Sequence, residues 1–398
     1  MTTLIKKSQS DSKQSIAIIC STFKNNSSYA LTKEQAEYIN HDIKTNDKKF
    51  ICLNTLSRLV CVILVDDKKN HYSSLESIRK NGAVITDSLN TEKRTTVSII
   101  NELSNVDYSL ALAEGMALAN YQFIKHKPSA KKTTNTLTSI QVVDAKVTTQ
   151  HLSNLSIAID ATLKARDLVN EPVNHLNASG LANAFKNMGK SAGFKVDVLN
   201  KAKIKQLKMG GLLAVNAGSV DEPTFSIMEY KPKNPKNKKP YVLVGKGVVY
   251  DTGGLSLKPT PNSMDLMKCD MAGGAAVGCT MYAIAKAKLN IHVIALVPAT
   301  DNRPGFNAFA PGDIITMMDG STVEMLNSDA EGRMILADAL HFAKRYNPEM
   351  AIELSTLTGA AAAAIGQYGI VSMGTSTDEQ KTKLTVSGLR MHERLVEF

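Results

Sequence analysis

At 398 residues the chain exceeds the length at which one hydrophobic core usually stops growing, so two domains are expected. Its 43% hydrophobic and 21% charged residues exclude collagen-like, disordered and membrane-embedded classes, and the longest apolar runs, at 59–65 and 359–366, fall far short of the roughly 18 residues that span a bilayer. The net charge of +10 admits a polyanionic partner, yet part of it is confined to KPSAKK (127–132) and KPKNPKNKKP (231–240), which read as solvated loops.

The opening MTTLIKKSQSDSKQ lacks the long apolar stretch and small-residue cleavage site of a leader, so a cytoplasmic protein is expected. In the first 145 residues, strand-like SIAIICS and RLVCVILV alternate with helix-like YSSLESIRK and YSLALAEGMALANYQF, an α/β pattern without a dense cluster of acids, histidines or glycines. KPSAKKTTNT then reads as a linker, and a helical pattern covers 149–170. From about 190, FKVDVL, LLAVNAG, TFSIMEY, YVLVGKGVVY and IHVIALV give strand signals, with helices after Asp270 and Asp329. Such alternation predicts a parallel or mixed sheet covered by helices on both faces, with ligands beyond the carboxyl ends of its strands. Cys20, Cys52, Cys61, Cys269 and Cys279 form no CxxC pair and read as reduced, structural thiols.

VGKGVVYDTGGLSLKP (244–259) places Lys246 inside an apolar strand pattern and Asp251 at its end, just before Gly253 and Gly254. Alone, these are an edge lysine reaching water and an acid opening a turn. The two are an odd number of residues apart, so a flat strand points them to opposite faces, and a shared site requires a bulge or twist at Gly245 and Gly247. In MDLMKCDMAGGAAVGCTMYAIAKAK, Asp270 precedes small residues that read as a closely packed helix, where it could serve as an N-cap. NSDAEGRMILADALHFAKRY holds Asp329, Glu331 and Arg333, and Ser328 with Glu331 matches a capping box.

Each segment thus has a local explanation, but together they place four carboxylates at strand-to-helix junctions of one domain. Converging acids repel unless cations compensate them. Two divalent ions about 3.5–4 Å apart would do so while clamping a hydrolytic water and a polarised carbonyl. HExxH, GxSxG, GxxxxGK[ST] and GxGxxG are absent, and none of the eight histidines lies in VGKGVVYDTGGLSLKP, MKCDMAGG or NSDAEGR.

Those three blocks resemble the signatures of the leucyl aminopeptidase family, the last commonly written NTDAEGR. ARDLVNEPVN (165–174), LLAVNAGS and STLTGA (355–360) are similar too, so the resemblance covers most of 150–375, and the first 145 residues only in general layout. It implies an α/β protein with a smaller N-terminal α/β domain (1–145) and a larger catalytic domain (146–398) built on a mixed sheet flanked by helices. The implied activity is metal-dependent release of N-terminal, leucine-like residues from peptides. By the resemblance, Asp251 and Glu331 bridge two divalent ions, Zn²⁺ or Mn²⁺, Asp329 completes the more exchangeable site, and Lys246 and Asp270 the tighter one. A lysine ligand must be deprotonated, which a neighbouring metal charge favours. Lys258 would stabilise the oxyanion, and Arg333 would hold a bicarbonate acting as general base. Met267, Asn327, Thr356 and Gly359 would join Lys258 and Asp270 along the substrate cleft. A cytoplasmic homo-hexamer, without a membrane, is implied as well.

Three departures stand out. Ser328 replaces the commoner threonine while keeping a hydroxyl, the stretch from Asp251 to Asp270 is one residue longer at PTPNS, and the family's catalytic domain usually continues beyond Phe398. The end, GLRMHERLVEF, reads as an amphipathic helix running on without a C-cap, with apolar surface expected around it. The competing reading is a DNA-binding or scaffolding protein of the same fold, as the basic charge suggests. A mobility-shift series in salt separates the two, because phosphate binding weakens steeply with salt. Another two-metal hydrolase, such as a phosphatase, is disfavoured by the spacing of Lys246 and Lys258.

Overall fold

The computed structural model describes residues 3–9, 13–66, 70–129 and 133–398, so the KPSAKK loop and the linker lie partly outside the described residues. Contacts divide the chain into two compact units, Met1–Asp160 with Ala361–Phe398, and Ala161–Ala360. The boundary expected near 145 lies just before helix α4 (Thr149–Asn170), whereas the contacts divide the chain inside that helix.

The first unit begins with β1 (Leu4–Lys7), β2 (Ser15–Cys20), α1 (Lys33–Thr45), β3 (Phe50–Asn54), β4 (Leu59–Leu64), α2 (His71–Thr91), β5 (Thr96–Asn101), α3 (Val106–Ala119) and β6 (Ser139–Val143). Its sheet runs β1-β6-β5-β2-β4-β3, parallel except for the antiparallel edge β3. Central β2 is buried at every position, as expected of a continuous apolar run covered on both faces. On one face Ile16, Ile18, Val60 and Val62 pack with Ala36 and Ile39 of α1. The thiol expectation fails for one pair: Cys52 and Cys61 are disulfide-bonded. Antiparallel pairing sets them directly opposite one another, a relation that depends on hairpin register and cannot be read from their spacing.

The second unit contains α5 (Ala178–Ala192), β7 (Lys195–Leu199), α6 (Lys201–Gln206), α7 (Gly210–Asn216), β8 (Thr224–Tyr230), β9 (Tyr241–Gly245), β10 (Gly247–Asp251), α8 (Ala272–Lys286), β11 (Val293–Asn302), β12 (Asp313–Thr316), β13 (Thr322–Met325), α9 (Glu331–Ala343) and β14 (Met350–Leu354). Its main sheet is mixed and runs β14-β9-β11-β8-β7. β14, β9 and β11 are mutually parallel, β10 lies parallel to β11, and β8 and β7 are antiparallel. One face is covered through a core that includes Phe185 of α5 and Ala275 and Met281 of α8. The other is covered by α6, α7 and α9 through Ile204, Leu212 and Ile335.

LLAVNAG, expected as a strand, is mostly helix α7. A short apolar run suits a buried helix as well as a buried strand, and here tertiary contacts decide. A Cβ on Gly210 would sit 1.7 Å from the Thr316 carbonyl oxygen, so α7 approaches that backbone more closely than any side chain allows. Buried Asp338 accepts the Leu212 N–H at 3.0 Å and so caps the helix start.

The chain then forms α10 (Ala360–Ile365), β15 (Gly369–Ser372), α11 (Asp378–Met391) and β16 (Arg394–Glu397). The helix expected to run through GLRMHERLVEF instead stops at His392, whose left-handed φ of 57° lets its N–H bond the helix end. The remainder becomes β16, parallel to β15. Val386, Leu389, Met391 and Phe398 are exposed. Among the described residues, no helix is long and apolar enough to cross a membrane.

Candidate metal centre

Parallel β9, β10, β11 and β14 bring their carboxyl ends to one place, and there the three sequence blocks meet. The strand expected through YVLVGKGVVY breaks at Lys246, between β9 and β10, and the β10–β11 register shifts between Val248 and Asp251. This irregularity removes the opposite-face problem: Lys246 and Asp251, both 2% exposed, enter one cluster.

Lys246 Nζ lies 2.8 Å from Asp270 Oδ2 and 2.8 Å from Glu331 Oε1. Lys258 Nζ lies 3.0 Å from Asp251 Oδ2 and 2.5 Å from Asp329 Oδ1. Lys246 is therefore no edge lysine, and its side chain crosses α9 where only glycine fits, since a Cβ on Gly332 would stand 2.7 Å from its Nζ. The N-cap and capping-box readings fail as well. The N-caps of α8 and α9, Met271 and Ala330, make no side-chain cap bond, while Asp270 and Glu331 turn to Lys246. The turn-opening role of Asp251 is real, its Oδ1 accepting the Gly253 N–H at 2.8 Å. Gly253 and Gly254 follow at φ of 84° and 63°, the left-handed region that glycine enters at little cost.

Burial dominates the electrostatics. It pushes the Glu331 carboxyl up to about 7, with Lys246 opposing and Asp251 and Asp270 reinforcing the shift. It raises Asp270 and Asp329 too, against the pull of their lysine partners. For Lys246, burial alone would lower the ammonium, but Glu331 and Asp270 outweigh it and hold it above its ordinary value. Lys258 behaves in the same way between Asp329 and Asp251.

Four carboxylates thus face two ammonium groups. Glu331 Oε2 is buried without a hydrogen-bond partner, and ligand atoms of Asp251, Asp329 and Glu331 lie within 4.8 Å of one another. An all-oxygen set with excess negative charge fits divalent cations. Asp251, Asp329 and Glu331 would hold such an ion, with Asp270 and Lys246 beside them.

The other sequence candidates are placed unequally. Thr356 donates to Asp270 Oδ1 at 2.6 Å. Asn327 accepts the Asp329 N–H at 2.9 Å and so shapes the turn carrying that acid. Met267 occupies the 3₁₀ turn before Asp270, and Gly359 is exposed after β14. Arg333 is exposed and lines a cavity of about 260 Å³ with Met317, Met318, Asp319 and His341, which none of Asp251, Asp270, Asp329 and Glu331 lines. Sequence reasoning missed Asn302, whose Nδ2 donates to Asp251 Oδ1 at 2.9 Å and to the Ser328 carbonyl at 3.0 Å. Its only signal was its place at the end of an apolar strand run.

Residues 163–398 match the catalytic domain of the cytosol aminopeptidase family. Relatives named probable cytosol aminopeptidase include one from Chlorobaculum parvum, 52% identical over 58% of this chain and 46% of its own length. Another, from Desulfotalea psychrophila, is 37% identical over 81% of this chain and 65% of its own. The match with the Chlorobaculum protein thus spans about half of that relative's length. Among solved structures, a bottromycin maturation enzyme in complex with Mn superposes with a TM-score of 0.83 at 24% identity, covering 98% of this chain and 82% of that one. A tomato leucine aminopeptidase mutant gives 0.86 at 23%, covering 100% and 82%. At these identities the structures speak to the fold.

Proposed function

Because the chain belongs to the cytosol aminopeptidase family, we propose that its carboxylate cluster is the centre of a metal-dependent aminopeptidase that releases N-terminal, leucine-like residues from peptides. The observation that carries this reading is the convergence of Asp251, Asp270, Asp329 and Glu331 on Lys246 and Lys258, with Glu331 Oε2 buried and unpartnered. Two ions, Zn²⁺ or Mn²⁺, are the proposed complement, which Asp251, Asp329 and Glu331 would hold together with Asp270 and Lys246. When bound, they supply charge that polarises a peptide carbonyl and lowers the pKa of a water.

The chain's own residues do the rest. Lys258, held beside Asp251 and Asp329, would donate to the carbonyl oxygen as negative charge develops there. Asp270, steadied by Thr356, would accept from the substrate's free amine and so fix the first peptide bond. Arg333 with a bicarbonate, a hexameric assembly and a cytoplasmic setting complete the proposal.

Acetylating the substrate amine removes the anchor that distinguishes an aminopeptidase from other hydrolases. With Mn²⁺ or Zn²⁺ supplied and metal content measured alongside, leucine amide should be hydrolysed and N-acetyl-leucine amide left intact. Comparable cleavage of both would overturn the aminopeptidase reading.

A further inference from the structure

We infer that Asn302 is a positioning residue for the metal centre: its amide fixes which oxygen of Asp251 faces the ions and ties together the two loops that carry Asp251 and Asp329. This rests on the metal-centre reading above.

Asn302 ends β11 and is 1% exposed. Its Nδ2 donates to Asp251 Oδ1 at 2.9 Å and to the Ser328 carbonyl at 3.0 Å. With the Gly253 N–H at 2.8 Å, Asp251 Oδ1 thus accepts two donors, leaving Oδ2 as the oxygen turned to Lys258. The amide orientation is forced, because rotating it would set an oxygen against both the carboxylate and the carbonyl. Its own Oδ1 is buried without a partner and lies 2.8 Å from where a Cβ on Gly254 would stand, so the loop closes directly over it. The Asn302 carbonyl holds the same loop from the other side, accepting from Thr252 N at 3.1 Å and Oγ1 at 2.8 Å.

The second loop is fastened in parallel. Ser328 Oγ accepts the Ser256 N–H at 2.7 Å and donates to the Gly253 carbonyl at 2.7 Å, while Ser256 Oγ accepts the Ser328 N–H at 3.1 Å. Asn302 contributes the side chain that bonds both a proposed ligand's carboxylate and the backbone of this fastening, where Gly253 does so through its main chain. Groups that orient metal ligands in this way set affinity without touching the ion.

Calorimetric titration of the metal-stripped full chain with Mn²⁺ tests the inference on wild type, Asn302→Ala and Asn216→Ala. Asn216 is also 1% exposed, but its amide serves the Asp221 carbonyl and Thr300, so it reports the cost of losing a buried amide as such. Asn302→Ala should weaken Mn²⁺ binding about 10- to 100-fold. Asn216→Ala should leave it unchanged, although both variants lower the thermal midpoint of the metal-free chain. Equal affinity for wild type and Asn302→Ala, or an equal loss in both variants, overturns the inference. Should Asn302→Ala not fold, Asn302→Thr, β-favouring and of similar volume, is read in the same way. A wild-type chain that binds no Mn²⁺ removes the metal-centre reading and this inference with it, whereas binding that ignores Asn302 removes only the inference.

Discussion

Glu331 and Lys258 occupy the same cluster but should fail in different ways when changed. Glu331 is 1% exposed, with one oxygen on Lys246 and the other unpartnered. Glu331→Gln keeps the shape and removes the charge, so metal content and hydrolysis should fall together. Lys258→Ala leaves the acids in place and should retain metal while lowering turnover about 10²- to 10³-fold, the usual loss for an oxyanion donor. Metal analysis of both variants beside a leucine amide assay checks this, and undiminished metal in Glu331→Gln would count against its role as a ligand. At this scale the cluster was legible because four carboxylates at strand-to-helix junctions of one domain call for compensating cations, and the resemblance of the three blocks named the residues. Asn302 was not, since its role depends on the register shift after Val248 that turns Asp251 toward it.

Regular elements were legible wherever their periodicity was unambiguous. TFSIMEY is β8 and the pattern at 149–170 is α4, while the apolar run LLAVNAG was misread because its fate depends on neighbours distant in sequence. Among those neighbours Asp338 is decisive. Its oxygens accept Leu212 N–H at 3.0 Å and Met318 N–H at 2.9 Å, tying α7 and the turn after β12 to α9. Asp338→Ala would strand buried donors and should cost about 2–3 kcal/mol in urea unfolding of the metal-free chain. A loss within error of zero would show that α7 is held by its apolar face alone. The break between β9 and β10 could be demanded from sequence by parity, but the sheet neighbour that accommodates it could not.

For the whole molecule, metal and pH should act on stability in opposite senses. In the metal-free chain burial pushes Glu331 up to about 7 from an ordinary 4.5, so between those values the native state holds a proton that the unfolded chain has released. Stability from this group therefore falls as pH rises through that window. The thermal midpoint of the stripped wild type should decline relative to Glu331→Gln between about pH 4.5 and 7, and Mn²⁺ should reverse the decline; parallel pH profiles for the two proteins would refute it. The reciprocal Ser256–Ser328 bonds have a consequence of another kind. The Lys258 N–H on the Thr252 carbonyl at 2.9 Å closes a backbone circuit over residues 252–258, directly after Asp251, and the serine bonds fasten that circuit to Ser328. Residues 259–262 hang outside that circuit, exposed. A change of chain length there leaves each of these bonds in place, so the surface beyond Lys258 is free to diversify while the charged centre stays in register.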